Sequence, residues 1–125
     1  MQMQSMQQKR AGFALKNVRF AANDGNVRHD EYKSYAAALP AMIQMNGLGQ
    51  AAAFYKSKGG THRKLYDLLS EWLTDRGQPY AGKADLMEGI TENGISEYRL
   101  AQAEAQALMD WVKKFAKAYM SENKQ

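Results

Sequence analysis

The sequence predicts an all-α protein, a single compact bundle of five to six helices. Ala, Leu, Gln, Met, Lys and Glu dominate the 125 residues, whereas proline occurs only twice and Val and Ile are scarce. Helix formers are therefore abundant and strand formers rare. The second observation is periodicity, because every apolar pattern that lasts beyond seven residues repeats at helical spacing. With 45% hydrophobic residues the chain can build one core, so we expect one helical domain over residues 1–125.

The first helix is predicted over residues 9–22, where small apolar residues such as Ala14 share one side. Residues 1–8 alternate Met and Gln and are either a disordered tail or an extension of this helix. The Asn-Asp-Gly-Asn sequence at 23–26 is typical of a helix end followed by a turn. Asp30 is then expected to cap a second helix through its carboxylate.

Pro40 interrupts the second helix, because proline has no N–H and disfavours helical backbone at the residue before it. The segment either kinks there or begins a new helix over residues 41–45. Gly47 marks the next stop, and a third helix is expected over residues 48–58, ahead of the glycine pair that starts at Gly59. Glycine turns therefore join these helices.

The fourth helix has the strongest helical signal, and Thr61 is expected to cap its start. Its apolar stripe has spacing i, i+3, i+4, i+7 and i+8, formed by Leu65, Leu68, Leu69, Trp72 and Leu73. A short helix is expected near residues 84–91, and Ser96 is expected to cap a long last helix that ends near Met120. The predicted apolar stripe of the last helix is Leu100, Ala103, Ala107, Leu108, Trp111, Phe115 and Ala118.

The net charge of +4 is unevenly distributed along the chain. Residues 1–64 carry ten Lys and Arg against three Asp and Glu, residues 65–110 carry three against nine, and residues 111–125 carry four against one. This segregation predicts one basic surface for an anionic partner and one acidic surface for a different contact. The alternative is that helical packing scatters the charges over the whole surface.

Basic residues cluster on the first helix, around the glycine pair and on the last helix, and a continuous positive surface would result if the helix ends converge. Phe13 and Phe20 on the first helix are interpreted either as platforms for unpaired bases or as core residues flanked by lysine stems. The residues predicted to contact phosphates are Lys9, Lys16, Arg19, Lys56, Arg63, Lys64, Lys113 and Lys117.

The sequence shows no set of catalytic or metal-binding residues, and we expect no cofactor. Absence of cysteine removes thiol nucleophiles and thiolate metal sites. The G-x-G-x-x-A match at residues 47–52 lacks the strands of a dinucleotide site, so we interpret it as a helix-to-helix turn. His29 and Asp30 resemble part of a metal centre, but His62 is the only other histidine.

Membrane insertion and secretion are not expected. No apolar run approaches the ~20 residues that span a bilayer, and the N-terminal residues lack the apolar stretch of a signal peptide. The sequence therefore predicts a soluble cytoplasmic protein.

Residues 32–58, YKSYAAALPAMIQMNGLGQAAAFYKSK, resemble the hallmark of the small subunit of the Cmr (type III-B) CRISPR effector module. The shared features are a tyrosine-rich helix, Leu-Pro, Met-Ile, Asn-Gly-Leu and a Phe-Tyr pair ahead of a basic turn. Segments within residues 98–118 are similar to the family's C-terminal helix, and residues 68–73 carry its Leu-Leu-x-x-Trp-Leu pattern. The sequence departs from the family at Ala51 and Ala52, where bulkier or polar residues are more common.

The resemblance implies a helical-bundle subunit, present in more than one copy, beside the guide-RNA-bearing backbone of a complex that degrades target RNA in antiviral defence. Its implied partners are guide RNA, target RNA and other Cmr subunits: backbone subunits, the large subunit and neighbouring copies of itself. Other subunits perform the chemistry, so no catalytic residue is implied. The basic residues take the RNA-facing role by inference only, since the matched motifs are largely structural.

Two other classes of function remain open at this stage. One is a helical protein–protein adaptor that makes no direct contact with nucleic acid. The other is an enzyme with a shallow acid/base site built from Glu, His or Lys on neighbouring helices. Salt-dependent RNA binding separates the first from an RNA-binding subunit, because phosphate contacts release counterions.

Overall fold

The computed structural model describes residues 3–121, which fold into six helices with no strand. The prediction of an all-α bundle of five to six helices is confirmed. The helices are α1 (Met6–Ala22), α2 (His29–Asn46), α3 (Leu48–Lys58), α4 (Gly60–Leu73), α5 (Leu86–Glu92) and α6 (Ile95–Tyr119).

The first helix begins at Met6, earlier than predicted, because Ser5 forms a capping box. The Ser5 hydroxyl accepts a hydrogen bond from the Gln8 amide (3.1 Å), and the Ser5 amide donates to the Gln8 side chain (2.8 Å). Residues 6–8 are therefore an extension of the helix, which was one of the two interpretations. The expectation for residues 1 and 2 lies outside the described residues.

Three predicted N-caps are wrong for the same reason. Asp30, Thr61 and Ser96 are each the second residue of their helix, whereas an N-cap is the residue just before the first helical residue. The residues that precede the three helices are Arg28, Gly59 and Gly94, and none of them caps through a side chain. The carboxylate of Asp30 instead accepts a hydrogen bond from Arg28 at 2.9 Å.

Helix α2 continues through Pro40 without ending, so the interpretation of a new helix over residues 41–45 is wrong. The missing N–H of proline costs one helical hydrogen bond. Tertiary contacts offset this cost, because Leu39 and Ile43 on either side are fully buried. The carbonyl oxygen of Pro40 also accepts a hydrogen bond from the Gln106 side chain of α6 at 2.9 Å.

The core includes the whole predicted stripe of α4, whose five large apolar residues are all buried. Trp72 has 7% of its surface exposed and packs against Phe13 of α1, with ring centroids 4.9 Å apart. Phe13 is partly buried against the core, so the core interpretation is confirmed for Phe13 and is wrong for Phe20, which is exposed.

The last helix buries a different stripe from the predicted one. Its buried residues run from Ala101 through Ala105 and Met109 to Ala116. The reason is that α6 packs against both α1 and α2, so that small residues lie at the contacts while some large residues face outwards. Of the predicted stripe, Leu108 is buried, Ala107, Trp111 and Phe115 are half-buried, and Leu100, Ala103 and Ala118 are exposed.

Candidate nucleic-acid interface

Four helix ends meet at one end of the bundle. Nε2 of His29, at the start of α2, lies 2.9 Å from the carbonyl oxygen of Ala22, at the end of α1. Nδ1 of His29 lies 2.9 Å from the backbone amide of Ser121, just after α6. A carbonyl only accepts and an amide only donates, so in these contacts Nε2 is the donor and Nδ1 the acceptor. The Thr61 hydroxyl contacts the Glu31 carboxylate at 3.4 Å, which brings the start of α4 to the same end.

This convergence gathers most of the predicted basic residues. Arg19 and Lys117 lie in the last turns of α1 and α6, and the guanidinium carbon of Arg19 is 5.3 Å from the centre of the Tyr119 ring. Arg63 lies near the start of α4. Lys9 is the exception, since it lies at the opposite end of α1. The helix ends therefore converge, and carboxylates lie among the basic residues at this end.

Three of the predicted phosphate contacts already face carboxylates. Ion pairs join Lys56 to Asp85 at 3.3 Å, Arg63 to Asp67 at 3.0 Å and Lys64 to Asp24 at 3.8 Å. All six groups are partly or largely exposed to solvent, so each pair contributes little to stability. Each carboxylate nevertheless offsets most of the positive charge that a phosphate would meet.

The basic residues of α1 divide into one buried cation and three exposed ones. Arg10 turns inwards and forms a two-pronged ion pair with Glu104 of α6, at 2.6 and 2.9 Å. Lys9, Lys16 and Arg19 are exposed, and no carboxylate of residues 3–121 lies within 4.0 Å of their charged groups. The side chains of these three residues are thus open to an anionic partner.

A groove between α2 and α6 gathers four lysines, of which the sequence analysis named two. Its lining residues are Lys33, Ser34 and Ala37 from α2 and Lys113, Lys114 and Lys117 from α6. Lys114 pairs with Asp110 at 2.9 Å on the exposed face of α6. Within the described part of the chain, no carboxylate lies within 4.0 Å of the other three ammonium groups. Lys33 was missed because only the packing of α2 on α6 brings it to the other lysines.

Phe20 differs from Phe13 in that 77% of its surface is exposed. It lies beside a shallow pocket whose lining includes the carboxylates of Asp24, Asp67 and Glu71. Two of these carboxylates are paired with cations, Asp24 with Lys64 and Asp67 with Arg63. The pocket therefore carries charges of both signs, and Phe20 lies on the same face of α1 as Lys16, four residues before it.

The residues weighed for metal binding serve other purposes here. Residues 3–121 contain no group of three or more His, Cys, Asp or Glu side chains that would hold a metal ion. His62 stacks on Tyr35 with ring centroids 3.7 Å apart, and burial together with the charge of Lys58 lowers the pKa of its imidazole. Gly47, at φ 87°, joins α2 directly to α3, so the G-x-G-x-x-A match is a helix-to-helix turn, as interpreted.

Nothing in the described helices resembles a membrane span. Across residues 3–121, no helix is both long enough and apolar enough to cross a bilayer.

Known proteins resemble this chain along almost its whole length. A family described as CRISPR-associated protein (Cas_Cmr5) matches residues 6–119. The chain is 33% identical over 121 residues to the CRISPR system Cmr subunit Cmr5 of Thermus thermophilus, covering 96% of this chain and all of that protein. It is also similar to the crystal structure of a CRISPR-associated Cmr5 family protein from Thermus thermophilus, with a TM-score of 0.78 and 29% identity over 94% of this chain and all of that one.

These matches agree with the helix content, the buried Trp72 stripe and the tyrosine-rich α2 described above. The family match covers all six helices from the start of α1 to the end of α6. The chain therefore belongs to the Cmr5 family, the small subunits of the type III-B CRISPR effector complex.

Proposed function

We propose that the chain is a non-catalytic RNA-binding subunit that supports the binding of guide RNA and target RNA within the Cmr complex. The observation that carries this proposal is the gathering of Lys33, Lys113 and Lys117, which have no carboxylate of residues 3–121 in ion-pair range. Like charges held close together repel one another, and a polyanion relieves that repulsion. Membership of the Cmr complex favours RNA as that polyanion.

The eight proposed RNA contacts fall into two sets. Lys56, Arg63 and Lys64 must exchange a carboxylate for a phosphate, so they are expected to add little affinity. The open set, expected to contribute most, comprises Lys9, Lys16, Arg19, Lys113 and Lys117. We therefore expect the open set to contribute more to RNA affinity than the paired set, a difference that the sequence alone did not predict.

We further propose that the chain acts in the cytoplasm without a cofactor and leaves catalysis to other subunits. The contacts of His29 and His62, namely a link between helix ends and an aromatic stack, support a structural use of both histidines. Its proposed protein partners are the backbone subunits, the large subunit and neighbouring copies of itself.

A protein–protein adaptor is the second candidate, and the exposed aromatic ring of Phe20 favours it. Exposed Phe20 beside Asp67 and Glu71 is suited to an apolar and cationic protein surface. RNA binding is the stronger candidate, because Lys33, Lys113 and Lys117 line one groove between α2 and α6.

The proposal is tested by measuring the affinity of the intact chain for a fluorescent single-stranded RNA as salt is raised. The logarithm of the binding constant is expected to fall linearly with the logarithm of salt concentration, by about 0.7 for each phosphate neutralised. A chain that binds no RNA at low salt, but still joins the other subunits, would be an adaptor.

A further inference from the structure

We propose that the pocket beside Phe20, between α1 and α4, receives an arginine side chain from a neighbouring protein subunit. The inference rests on the proposed assembly of the chain with other Cmr subunits, and it adds the chemistry by which one of them docks. It does not depend on RNA binding by this chain.

The pocket lies between two contacts that join α1 and α4. Phe13 packs on Trp72 with ring centroids 4.9 Å apart, and Asp24, just after α1, pairs with Lys64 at 3.8 Å. The lining residues follow helical spacing on both sides, namely Asn17, Phe20, Ala21 and Asp24 on one side and Lys64, Asp67, Leu68 and Glu71 on the other. Tyr32 of α2 completes the lining.

The size of the pocket fits one side chain. Its volume is about 190 Å³, below the roughly 300–1,000 Å³ of pockets that hold drug-sized ligands. A single long side chain or one unpaired base is a ligand of this size. The chemistry of the lining therefore has to decide between a protein and an RNA ligand.

Tyr32 provides a buried hydroxyl that lacks a partner. Only 2% of the surface of Tyr32 is exposed, and its hydroxyl forms no hydrogen bond within residues 3–121. The hydroxyl oxygen is not fully enclosed, so it is open to the pocket that Tyr32 lines. Burial raises the pKa of Tyr32, so the group is a neutral hydroxyl whose oxygen accepts a hydrogen bond. An N–H donor in the pocket would supply the missing partner.

Glu71 provides a carboxylate without a cation. Among residues 3–121, no Lys, Arg or His nitrogen lies within 4.0 Å of the Glu71 carboxylate, whereas the other two carboxylates of the pocket are paired. Asp67 and Glu71 are also four residues apart on α4, a spacing at which like charges destabilise a helix. A cation in the pocket would relieve this repulsion.

An exposed aromatic ring beside these acceptors selects arginine among the cations. Phe20 has 77% of its surface exposed, and a guanidinium group stacks on such a ring. Its five N–H donors can reach the Glu71 carboxylate and the Tyr32 hydroxyl from one stacked position. A lysine ammonium is more strongly hydrated and does not stack in this way.

An unpaired base is the alternative ligand, since it would also stack on Phe20. Lys16 lies on the same face of α1 and would be its phosphate contact. The unpaired carboxylate of Glu71, however, opposes a phosphate backbone and attracts a guanidinium. The two ligands therefore respond in opposite directions when the charge of Glu71 is removed.

The first test titrates the intact ¹⁵N-labelled chain with N-acetyl-arginine amide and follows backbone amide shifts by NMR. Shifts are expected around Phe20, Tyr32 and Glu71. The matched neutral probe, N-acetyl-citrulline amide, and the Glu71→Gln variant are each expected to weaken binding about 5-fold. Asp75→Asn removes the same charge from an exposed position outside the pocket and should leave the affinity unchanged. Equal binding of the two probes would overturn the inference.

The second test places the double variant Phe20→Leu, Glu71→Gln in the reconstituted Cmr complex. Both side chains are exposed, so the variant should remain fully helical by circular dichroism. It is expected to be retained less than wild type while the isolated chain keeps its RNA affinity.

Retention equal to wild type would overturn the inference alone. Loss of RNA affinity in Phe20→Leu, with none in Glu71→Gln, would overturn it in favour of the base. If the wild-type chain does not join the complex, the proposed assembly fails and the inference fails with it.

Discussion

Replacing Glu104 with alanine is expected to lower the free energy of unfolding by about 3–5 kcal/mol, the cost of breaking a buried ion pair from one side. The Glu104 carboxylate accepts two hydrogen bonds from Arg10 of α1, at 2.6 and 2.9 Å, and one from the Trp72 indole of α4, at 2.8 Å. It thereby ties α1 and α4 to α6. Only 12% of the Glu104 side chain and 17% of the Arg10 side chain are exposed, so the variant leaves a poorly solvated cation.

Urea denaturation measures the effect, and Asp67→Ala is the matched control. Asp67 also pairs with an arginine, Arg63, but both side chains are about half exposed. Its loss is expected to cost less than about 1 kcal/mol. Equal losses of unfolding free energy in the two variants would show that burial does not make the Arg10–Glu104 pair more stabilising than an exposed pair.

The same carboxylate makes stability depend on pH in the acid range. Burial alone would raise the pKa of Glu104, but the hydrogen bonds from Arg10 and Trp72 and the charge of Arg10 together lower it. A lowered pKa in the folded state means that this contribution is complete above the pKa of the unfolded chain. It is then lost as pH falls through the lower folded pKa. The difference in stability between wild type and Glu104→Gln should therefore shrink in acid.

Trp72→Ala is the second substitution with a large expected effect, a loss of about 3–5 kcal/mol in the free energy of unfolding. Trp72 is nearly buried, packs on Phe13 and donates its indole N–H to Glu104. The substitution therefore opens a cavity and also removes one partner of a buried carboxylate. Thermal and urea unfolding measure the change.

Trp111→Ala provides the comparison. The sequence placed both tryptophans in the core, but Trp111 is half-buried at the edge of α6 and donates its indole N–H to Gln7. Replacing Trp111 is expected to lower the free energy of unfolding clearly less than replacing Trp72, because folding removes less apolar surface from water at this position. A larger loss for Trp111 would contradict this ranking.

Local sequence signals predicted the helices well, and they predicted which residues face inwards less well. The α4 stripe was readable because Leu65 to Leu73 are large and evenly spaced. In α6, the exposed Leu100 was assigned to the buried stripe, whereas three of the six buried residues of this helix are alanines, such as Ala101 and Ala105. The sizes of the side chains along one helix do not reveal which face of that helix the neighbouring helices cover.

The candidate site shows the same limit. Sequence spacing identified Lys113 and Lys117, but Lys33 joins them only through the packing of α2 on α6. Adjacent Lys9 and Arg10 look alike in the sequence, yet only Arg10 turns inwards to a carboxylate 94 positions further along the chain. The ion pairs that offset Lys56 and Lys64 are likewise formed with distant residues. The Ser5 capping box, by contrast, was visible in the sequence and was overlooked.

The measurement that tests the central claim most directly is the rate of target-RNA cleavage by reconstituted Cmr complex, with and without this chain, as RNA concentration is raised. An RNA-binding subunit with no catalytic role contributes only to binding. The account predicts that an assembled complex lacking the chain needs more RNA to reach its maximum rate, while the maximum rate itself is unchanged. A maximum rate that falls on omission of the chain, with the RNA concentration at half-maximum unchanged, would contradict it.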